Sequence, residues 1–143
     1  GGHTDAINRA IDIFKKEGAK LVKKLSVSLA SHTSLLKMCS KDLSKYMNNM
    51  SFNMPLFPII HNFDASSKTQ ISDIISSLSE QVCSPVKWTE SMIRVSEMGI
   101  NTFLEVGPGQ VLTGLSKRID KSFITYPLFK ESDISKALDG LKS

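Results

Sequence analysis

The chain has 143 residues, of which 41% are apolar and 22% charged, a composition typical of a globular domain rather than of a disordered or fibrous protein. The formal net charge is +4, and without a zinc pattern or basic residues interleaved with aromatic ones we expect no nucleic-acid binding. No apolar run approaches the roughly 20 residues that span a bilayer and the N-terminus has no signal-peptide pattern, so we expect no membrane association.

The basic residues and the cysteines say little about function. The only tight basic cluster is Lys15–Lys24. We interpret it as a solvated surface, with a docking face for an acidic partner as the alternative. Cys39 and Cys83 are far apart and form no CxxC pattern, so we expect reduced thiols in a cytoplasmic compartment.

Periodicity predicts the first elements. Apolar residues spaced three and four apart predict a helix that Thr4 caps and Gly18 ends. Alternation predicts a strand over Lys20–Ser28, followed by a loop over Ser28–Thr33. A second helix is predicted from about residue 34 to 48.

The middle of the chain predicts a strand and two helices. The segment Met54–Phe63 reads as a strand that a proline starts or places at an edge. Ser66 or Ser67 then opens a third helix, which has the cleanest helical period in the chain. A fourth helix is predicted over Trp88–Met98.

The last third alternates strands with helices. A buried strand is predicted over Asn101–Val106, and the turn Gly107–Gly109 leads from it into a fifth helix. A strand over Phe123–Leu128 and a helix over Asp133–Leu141 complete the order. This order predicts an α/β fold whose sheet is covered on both faces.

The strongest site candidate is His32, because its loop follows a predicted strand and precedes a helix, where sites collect in α/β folds. A surface or helix-capping histidine is the alternative. His3 and His61 are weaker candidates for a catalytic histidine. Glu105 could act as a general acid or base, or could simply be a strand-end or hydrogen-bonded carboxylate.

Other motifs of catalysis are missing from these 143 residues. The turn Gly107–Gly109 could let backbone approach a ligand or hold an anion, or it could be only a tight turn. The sequence contains no GxSxG motif and no metal-ligand spacing. Taken alone, the residues indicate an α/β domain with one notable loop histidine.

Five groups of residues together cover nearly the whole chain. They are Gly2-His3 with Gly18-Ala19-Lys20, Val27–His32 with Leu35-Leu36-Lys37, Pro58–Asn62, Gln81 with Ser84–Ser91, and Phe103–Leu115 with Lys117-Arg118-Ile119. In this order they resemble the malonyl-CoA:acyl-carrier-protein transacylase family and the related acyltransferase domains of fatty-acid and polyketide synthases.

The resemblance implies a fold and a domain division. It implies the C-terminal part of an α/β-hydrolase-like acyltransferase core, together with the last helix and strand of a ferredoxin-like small subdomain. Residues 1–28 would end that subdomain and residues 29–143 would belong to the core. The serine elbow, the oxyanion glutamine and the malonyl-binding arginine of the family would lie upstream of Gly2.

The resemblance also implies a mechanism and site residues. The family transfers malonyl from coenzyme A to the phosphopantetheine thiol of acyl carrier protein by a ping-pong serine/histidine mechanism, with no cofactor. His32 matches its general base, and Gln81 matches the residue whose backbone carbonyl orients that histidine. Asn62, Gly107 and Gly109 would be supporting structure, and Ser31 bears on acyl selectivity, since serine here tends to accompany less restricted substrates.

The resemblance implies acyl carrier protein and a coenzyme A thioester as partners, and a role in fatty-acid biosynthesis in the cytoplasm. Because these residues lack the nucleophilic serine, we expect no transfer by the chain alone. We also expect it to associate with an N-terminal half or with itself, because half a sheet leaves an open edge. The rival hypothesis is a non-catalytic fragment or binding module that docks acyl carrier protein.

Overall fold

The computed structural model describes residues 1–142. These residues form two compact units, Gly1–Lys87 and a second unit that begins at Trp88. The predicted boundary between residues 28 and 29 falls inside the first unit and stays a prediction. None of the helices within residues 1–142 is both long and apolar enough to cross a membrane.

Helices dominate the first unit. Helix α1 spans Thr4–Lys16, a short 3₁₀ turn spans Ser34–Leu36, helix α2 spans Lys37–Asn48 and helix α3 spans Ile71–Glu80. Helices α2 and α3 pack on each other. The buried apolar residues of this unit are Leu36 of the 3₁₀ turn, Met47 of α2, and Ile74 and Ile75 of α3. Helix α1 was predicted, but its N-cap is His3 rather than Thr4, which is the first residue of the helix and makes no side-chain cap bond. None of the residues of α1 is buried.

The strand predicted over Lys20–Ser28 is wrong. This segment has no regular secondary structure, and Leu21 and Leu25 are 84% and 71% exposed. The alternation of apolar residues is real, but a strand also needs a neighbour that pairs with its N–H and C=O groups. No other segment of the described residues pairs with it.

The strand predicted over Met54–Phe63 is wrong for a related reason. Only one antiparallel bridge forms there, between His61 and Ser66. The third helix begins at Ile71 rather than at Ser66 or Ser67. The hydroxyl of Ser66 instead donates to the Asp64 carboxylate at 2.8 Å and closes a local turn.

The second unit contains the sheet. Helix α4 spans Trp88–Glu97, strand β1 Thr102–Val106, helix α5 Val111–Ile119, strand β2 Ile124–Leu128 and helix α6 Glu131–Lys142. Strands β1 and β2 are parallel, with Thr102 opposite Ile124 and Val106 opposite Leu128. Helix α5 connects them, because parallel strands need a long crossover. Both predicted strands are present, but β1 was predicted to be buried and none of its residues is buried.

The α/β fold class is confirmed, but the sheet is small. Within residues 1–142 it has two strands, and Leu104 and Val106 of β1 are 46% and 80% exposed. The predicted cover on both faces is therefore not found among the described residues. Phe103 of β1 packs edge-on against Phe123, with 5.2 Å between the ring centroids.

Candidate functional site

His32 lies at a sharp bend before α2. Its φ angle of 61° lies in the left-handed region, which is uncommon for a residue with a Cβ. The next residue, Thr33, starts the 3₁₀ turn: its Oγ1 accepts from the N–H of Leu35 at 3.3 Å and donates to the carbonyl of Ala30 at 2.7 Å. The bend is thus held by local hydrogen bonds on the C-terminal side of His32.

A turn at the end of α3 holds His32 from the other side. The imidazole Nδ1 lies 2.8 Å from the carbonyl oxygen of Gln81 and 3.2 Å from that of Ser84. The backbone N–H of His32 donates to the carbonyl of Val82 at 2.9 Å. Three carbonyls of one short turn therefore fix both the backbone and the ring of this histidine.

These contacts determine which ring nitrogen of His32 can act as a base. A carbonyl oxygen only accepts hydrogen bonds, so Nδ1 must carry the proton that points at Gln81. In the neutral ring, Nε2 then keeps a lone pair. The side chain is exposed, so this lone pair is available for chemistry.

The acceptors are carbonyls that the end of a helix leaves without partners. The last carbonyls of an α-helix have no intrahelical donor, and they carry the partial negative charge of the helix dipole. Gln81 is the residue that follows α3, and its backbone is still helical, with φ −57° and ψ −27°. The C-terminal end of α3 therefore points acceptors and partial negative charge at His32.

An open, largely apolar cavity of about 530 Å³ lies beside this histidine within the first unit. Helix α1 forms one wall, through Ile7, Ile11 and Phe14. Ser31 and His32 also line the cavity. The side chain of Ser31 is half-buried, so the structure brings this predicted residue to the cavity rather than into the hydrogen-bonded turn.

Asn62 lies in a separate loop of the same unit. Its carbonyl accepts from the N–H of Lys87 at 2.6 Å. Its buried Oδ1, like the buried Nε2 of its neighbour His61, has no hydrogen-bond partner among residues 1–142. No hydrogen bond joins Asn62 to His32 within residues 1–142, so its predicted supporting role stays a prediction.

Burial lowers the pKa of His61. The Asp64 carboxylate acts in the opposite direction, and the Lys68 ammonium adds to the lowering. For Asp64 itself, burial opposes ionisation, but hydrogen bonds from Lys68 and Ser66 outweigh it and hold the pKa of that carboxyl below its usual range. The loop therefore favours the neutral form of His61, beside the ion pair of Lys68 with Asp64.

The turn Gly107–Gly109 belongs to the second unit. Both glycines have positive φ angles, 143° and 94°, so both positions favour a residue without a Cβ. The neighbouring Glu105 accepts from the N–H groups of Leu112 and Thr113 at 2.9 and 2.7 Å. Its carboxylate thereby caps α5, which has no side-chain cap of its own.

These contacts decide between the alternatives for Glu105. Burial opposes its ionisation, but the hydrogen bonds from Thr113, Leu112 and Val111 outweigh it, so the pKa of Glu105 is lowered. A carboxylate whose oxygens hold a helix N-terminus is a structural group. No group of three or more His, Cys, Asp or Glu within residues 1–142 could hold a metal ion.

The sequence did not reveal the carbonyls of Val82 and Ser84 as partners of His32. Every residue has a backbone carbonyl, so residue type does not show which carbonyls accept from His32. The one available signal was Pro85, which forces a helix to end and so leaves carbonyls unpaired nearby.

No protein-family model matches the chain. The malonyl CoA-acyl carrier protein transacylase of Escherichia coli (strain K12) is 36% identical over 138 residues, which are 96% of this chain and 45% of that protein. Among solved structures, the malonyl-CoA:acyl carrier protein transacylase of Xanthomonas oryzae pv. oryzae is 37% identical, with a TM-score of 0.94 over 97% of this chain and 44% of the other.

A second solved structure is a malonyl-transacylase in complex with a type II PKS acyl-carrier protein. It is 34% identical, with a TM-score of 0.93 over 97% of this chain and 45% of the other. The chain thus spans less than half the length of the relatives it matches. In sequence and in fold, the chain matches the C-terminal half of the malonyl CoA-acyl carrier protein transacylases.

Proposed function

We propose that this chain is the part of a malonyltransferase that supplies the general base, and that the whole protein moves malonyl from coenzyme A to acyl carrier protein. The observation that carries the proposal is the 2.8 Å contact between Nδ1 of His32 and the carbonyl of Gln81. It leaves Nε2 as the basic nitrogen, and a general base needs such a free lone pair.

In the first half of the reaction, Nε2 of His32 takes the proton of a serine hydroxyl while the serine oxygen attacks the malonyl thioester carbon. Collapse of the tetrahedral intermediate breaks the C–S bond, and the leaving thiol of coenzyme A receives the same proton from Nε2. The product is a malonyl-serine ester. The serine would come from a part of the protein outside these residues, since they contain no GxSxG motif.

The second half reverses these roles. The phosphopantetheine thiol of acyl carrier protein gives its proton to Nε2, and its sulfur attacks the ester. The serine oxygen then leaves and takes the proton back. Thioester replaces thioester, so the barrier lies in activating the hydroxyl and stabilising the oxyanion rather than in driving force.

The end of α3 does the work that a carboxylate does in a serine–histidine–aspartate triad. The carbonyl of Gln81 fixes the tautomer of His32, and the negative end of the helix dipole complements the positive charge that the ring gains in each transition state. A neutral carbonyl offers less charge than a carboxylate, but a reaction between two thioesters needs a weaker base than amide hydrolysis.

The other predicted residues have supporting roles in this proposal. Ser31, on the cavity wall beside His32, would bear on acyl selectivity. Asn62 would brace its own loop, where its carbonyl accepts from the N–H of Lys87. Gly107 and Gly109 would shape the turn before α5. Residues 1–28 would end the small ferredoxin-like subdomain, and residues 29–143 would belong to the α/β-hydrolase-like core.

The proposal includes a coenzyme A thioester and acyl carrier protein as partners, no cofactor, and fatty-acid biosynthesis in the cytoplasm as the setting. It also holds that these 143 residues, assayed without the rest of the protein, transfer no malonyl. Transfer by the purified 143-residue chain would contradict that part.

A chimera tests the proposal. The N-terminal part of the Escherichia coli transacylase, joined to this chain in place of its own C-terminal half, should load malonyl onto acyl carrier protein. His32→Ala in the chimera should reduce kcat by at least about a hundred-fold, the range over which general bases contribute. His3→Ala, at an exposed histidine of the same unit, is the matched control and should retain activity. Equal activity of the two variants would refute the role of His32.

The rival function is a binding module that docks acyl carrier protein through the exposed basic residues around Lys15–Lys24. Such a contact would be weak and sensitive to salt. Titration of the chain with acyl carrier protein at low and high salt tests it. Binding without activity in the chimera would favour this alternative over catalysis.

A further inference from the structure

We infer that Pro85 is a positioning residue for His32. It leaves the carbonyl of Gln81 free of a competing donor, and it orients the carbonyl of Ser84 as a second acceptor for Nδ1. The inference deepens the proposed function and rests on His32 being the general base. It adds a side chain, Pro85, and an acceptor, Ser84, to the contact with Gln81.

The first part follows from helical spacing. In a continuing α-helix, the carbonyl of Gln81 would accept the N–H of the residue four positions later. That residue is Pro85, which has no N–H. An α-helical continuation therefore offers no donor to this carbonyl, and its hydrogen bond goes to Nδ1 of His32 at 2.8 Å.

The second part follows from the restriction that a proline places on the residue before it. The ring of Pro85 disfavours helical backbone at Ser84 and drives it to an extended conformation. The turn after α3 ends at Ser84, and the carbonyl of Ser84 lies 3.2 Å from Nδ1 of His32. This distance is at the long end of a normal N–H···O bond, so Ser84 is the weaker of two acceptors that share one proton.

Two acceptors fix the ring better than one. A single bond to Gln81 would leave the imidazole free to swing about that contact. A second acceptor in the same turn restricts the direction of the Nδ1–H bond, and so the direction of the Nε2 lone pair on the other side of the ring. The backbone bond from His32 to Val82 anchors the same turn at 2.9 Å and holds the unusual φ of 61°.

Two substitutions at position 85, made in the full-length protein that contains this chain, separate the two parts. Pro85→Ala restores an N–H that competes for the Gln81 carbonyl and frees the backbone of Ser84. Pro85→lactic acid adds no N–H, but it turns the Ser84 carbonyl into an ester carbonyl, which is a weaker acceptor. Pro58→Ala, at an exposed proline of the same unit, is the control.

The readout is the tautomer of His32, taken from the ¹⁵N shifts of its ring nitrogens at about pH 8.5, where ordinary histidines are neutral. Both variants at position 85 should lower the ratio of the Nδ1–H to the Nε2–H tautomer about two- to ten-fold, the value of one neutral hydrogen bond. Where the full-length protein transfers malonyl, kcat should fall by a similar factor while KM stays within about two-fold.

An unchanged tautomer ratio in both variants would overturn the inference. A change in Pro85→Ala alone would overturn the role of Ser84, and a change in Pro85→lactic acid alone would overturn the competition at Gln81. A change in the control as large as in the test variants would also overturn it, because the effect would then be general loosening of the fold. The tautomer ratio is measured by NMR and needs no malonyl-transfer assay. Failure of the proposed function would therefore appear separately, as a wild-type protein that transfers no malonyl.

Discussion

The carbonyl oxygen of Gln81 lies 2.8 Å from Nδ1 of His32, a residue 49 positions earlier in the chain. The contact joins the bend before α2 to the C-terminal end of α3. The acceptor is backbone, so the chemical identity of the residue at position 81 matters less than the place where the helix ends.

This relationship predicts that the side chain of Gln81 is dispensable. In the active chimera, Gln81→Ala should keep kcat within about three-fold of the parent, because the carbonyl remains and alanine favours helical backbone. His32→Ala in the same background should lose most of the activity. Steady-state malonyl transfer measures both. If Gln81→Ala lost as much activity as His32→Ala, its side-chain amide rather than its carbonyl would be the working group.

The helices and the second unit could be predicted from the sequence because their signals are local. The period of α3, the glycine-rich turn at Gly107 and the apolar runs of β1 and β2 each depend on neighbouring residues. Tertiary packing then stabilises the elements that local preference favours: α5 and α6, for example, both pack against β2.

The strands over Lys20–Ser28 and Met54–Phe63 failed because a strand depends on a distant partner. Alternation shows that a segment could pair, but nothing in it tells whether a neighbour exists among these residues. The candidate site likewise has one part with a local sequence signal and another that depends on distant backbone. His32 could be found by its motif and position, whereas the acceptors at Val82 and Ser84 are backbone atoms that any residue type carries.

Glu105→Gln should destabilise the protein by about 1 kcal/mol, the usual value of a helix cap, because a neutral amide accepts more weakly from Leu112 and Thr113 at the start of α5. The pKa of Glu105 is lowered from its ordinary value of 4.5. Its contribution is therefore complete above pH 4.5 and is lost as the pH falls through the lowered pKa. Urea unfolding between pH 7 and pH 3 should show wild type and variant converging in acid. A constant difference across that range would contradict the cap.

His61 should make stability depend on pH in a different window. Its pKa is lowered from 6.5 by burial, so folding favours the neutral ring. Stability should be full above pH 6.5 and should fall as the pH drops below it toward the lowered pKa, because the unfolded chain takes up the proton more readily. His61→Gln should flatten this part of the profile. His3→Gln, at an exposed histidine, should leave it unchanged. A profile that His61→Gln does not alter would show that another group titrates there.

Two helical glycines of the second unit should respond to alanine in opposite directions. A Cβ at Gly140 in α6 would overlap the hydroxyl of Tyr126 and lie 2.6 Å from its Cζ, whereas a Cβ at Gly114 in α5 would meet nothing within 4 Å. Gly140→Ala should therefore cost about 1–3 kcal/mol as an overpacked contact. Gly114→Ala should stabilise by about 0.5–1 kcal/mol, because alanine loses less backbone entropy in a helix.

Chemical denaturation of both variants measures the difference, and a double mutant identifies its cause. Tyr126→Phe removes the hydroxyl that the new Cβ would meet, so it should recover part of the loss in Gly140→Ala. The recovery should be incomplete because Cζ remains close. If Tyr126→Phe and Gly140→Ala were simply additive, the cost at Gly140 would not come from this contact. If Gly114→Ala were as destabilising as Gly140→Ala, space around the glycine would not decide the sign.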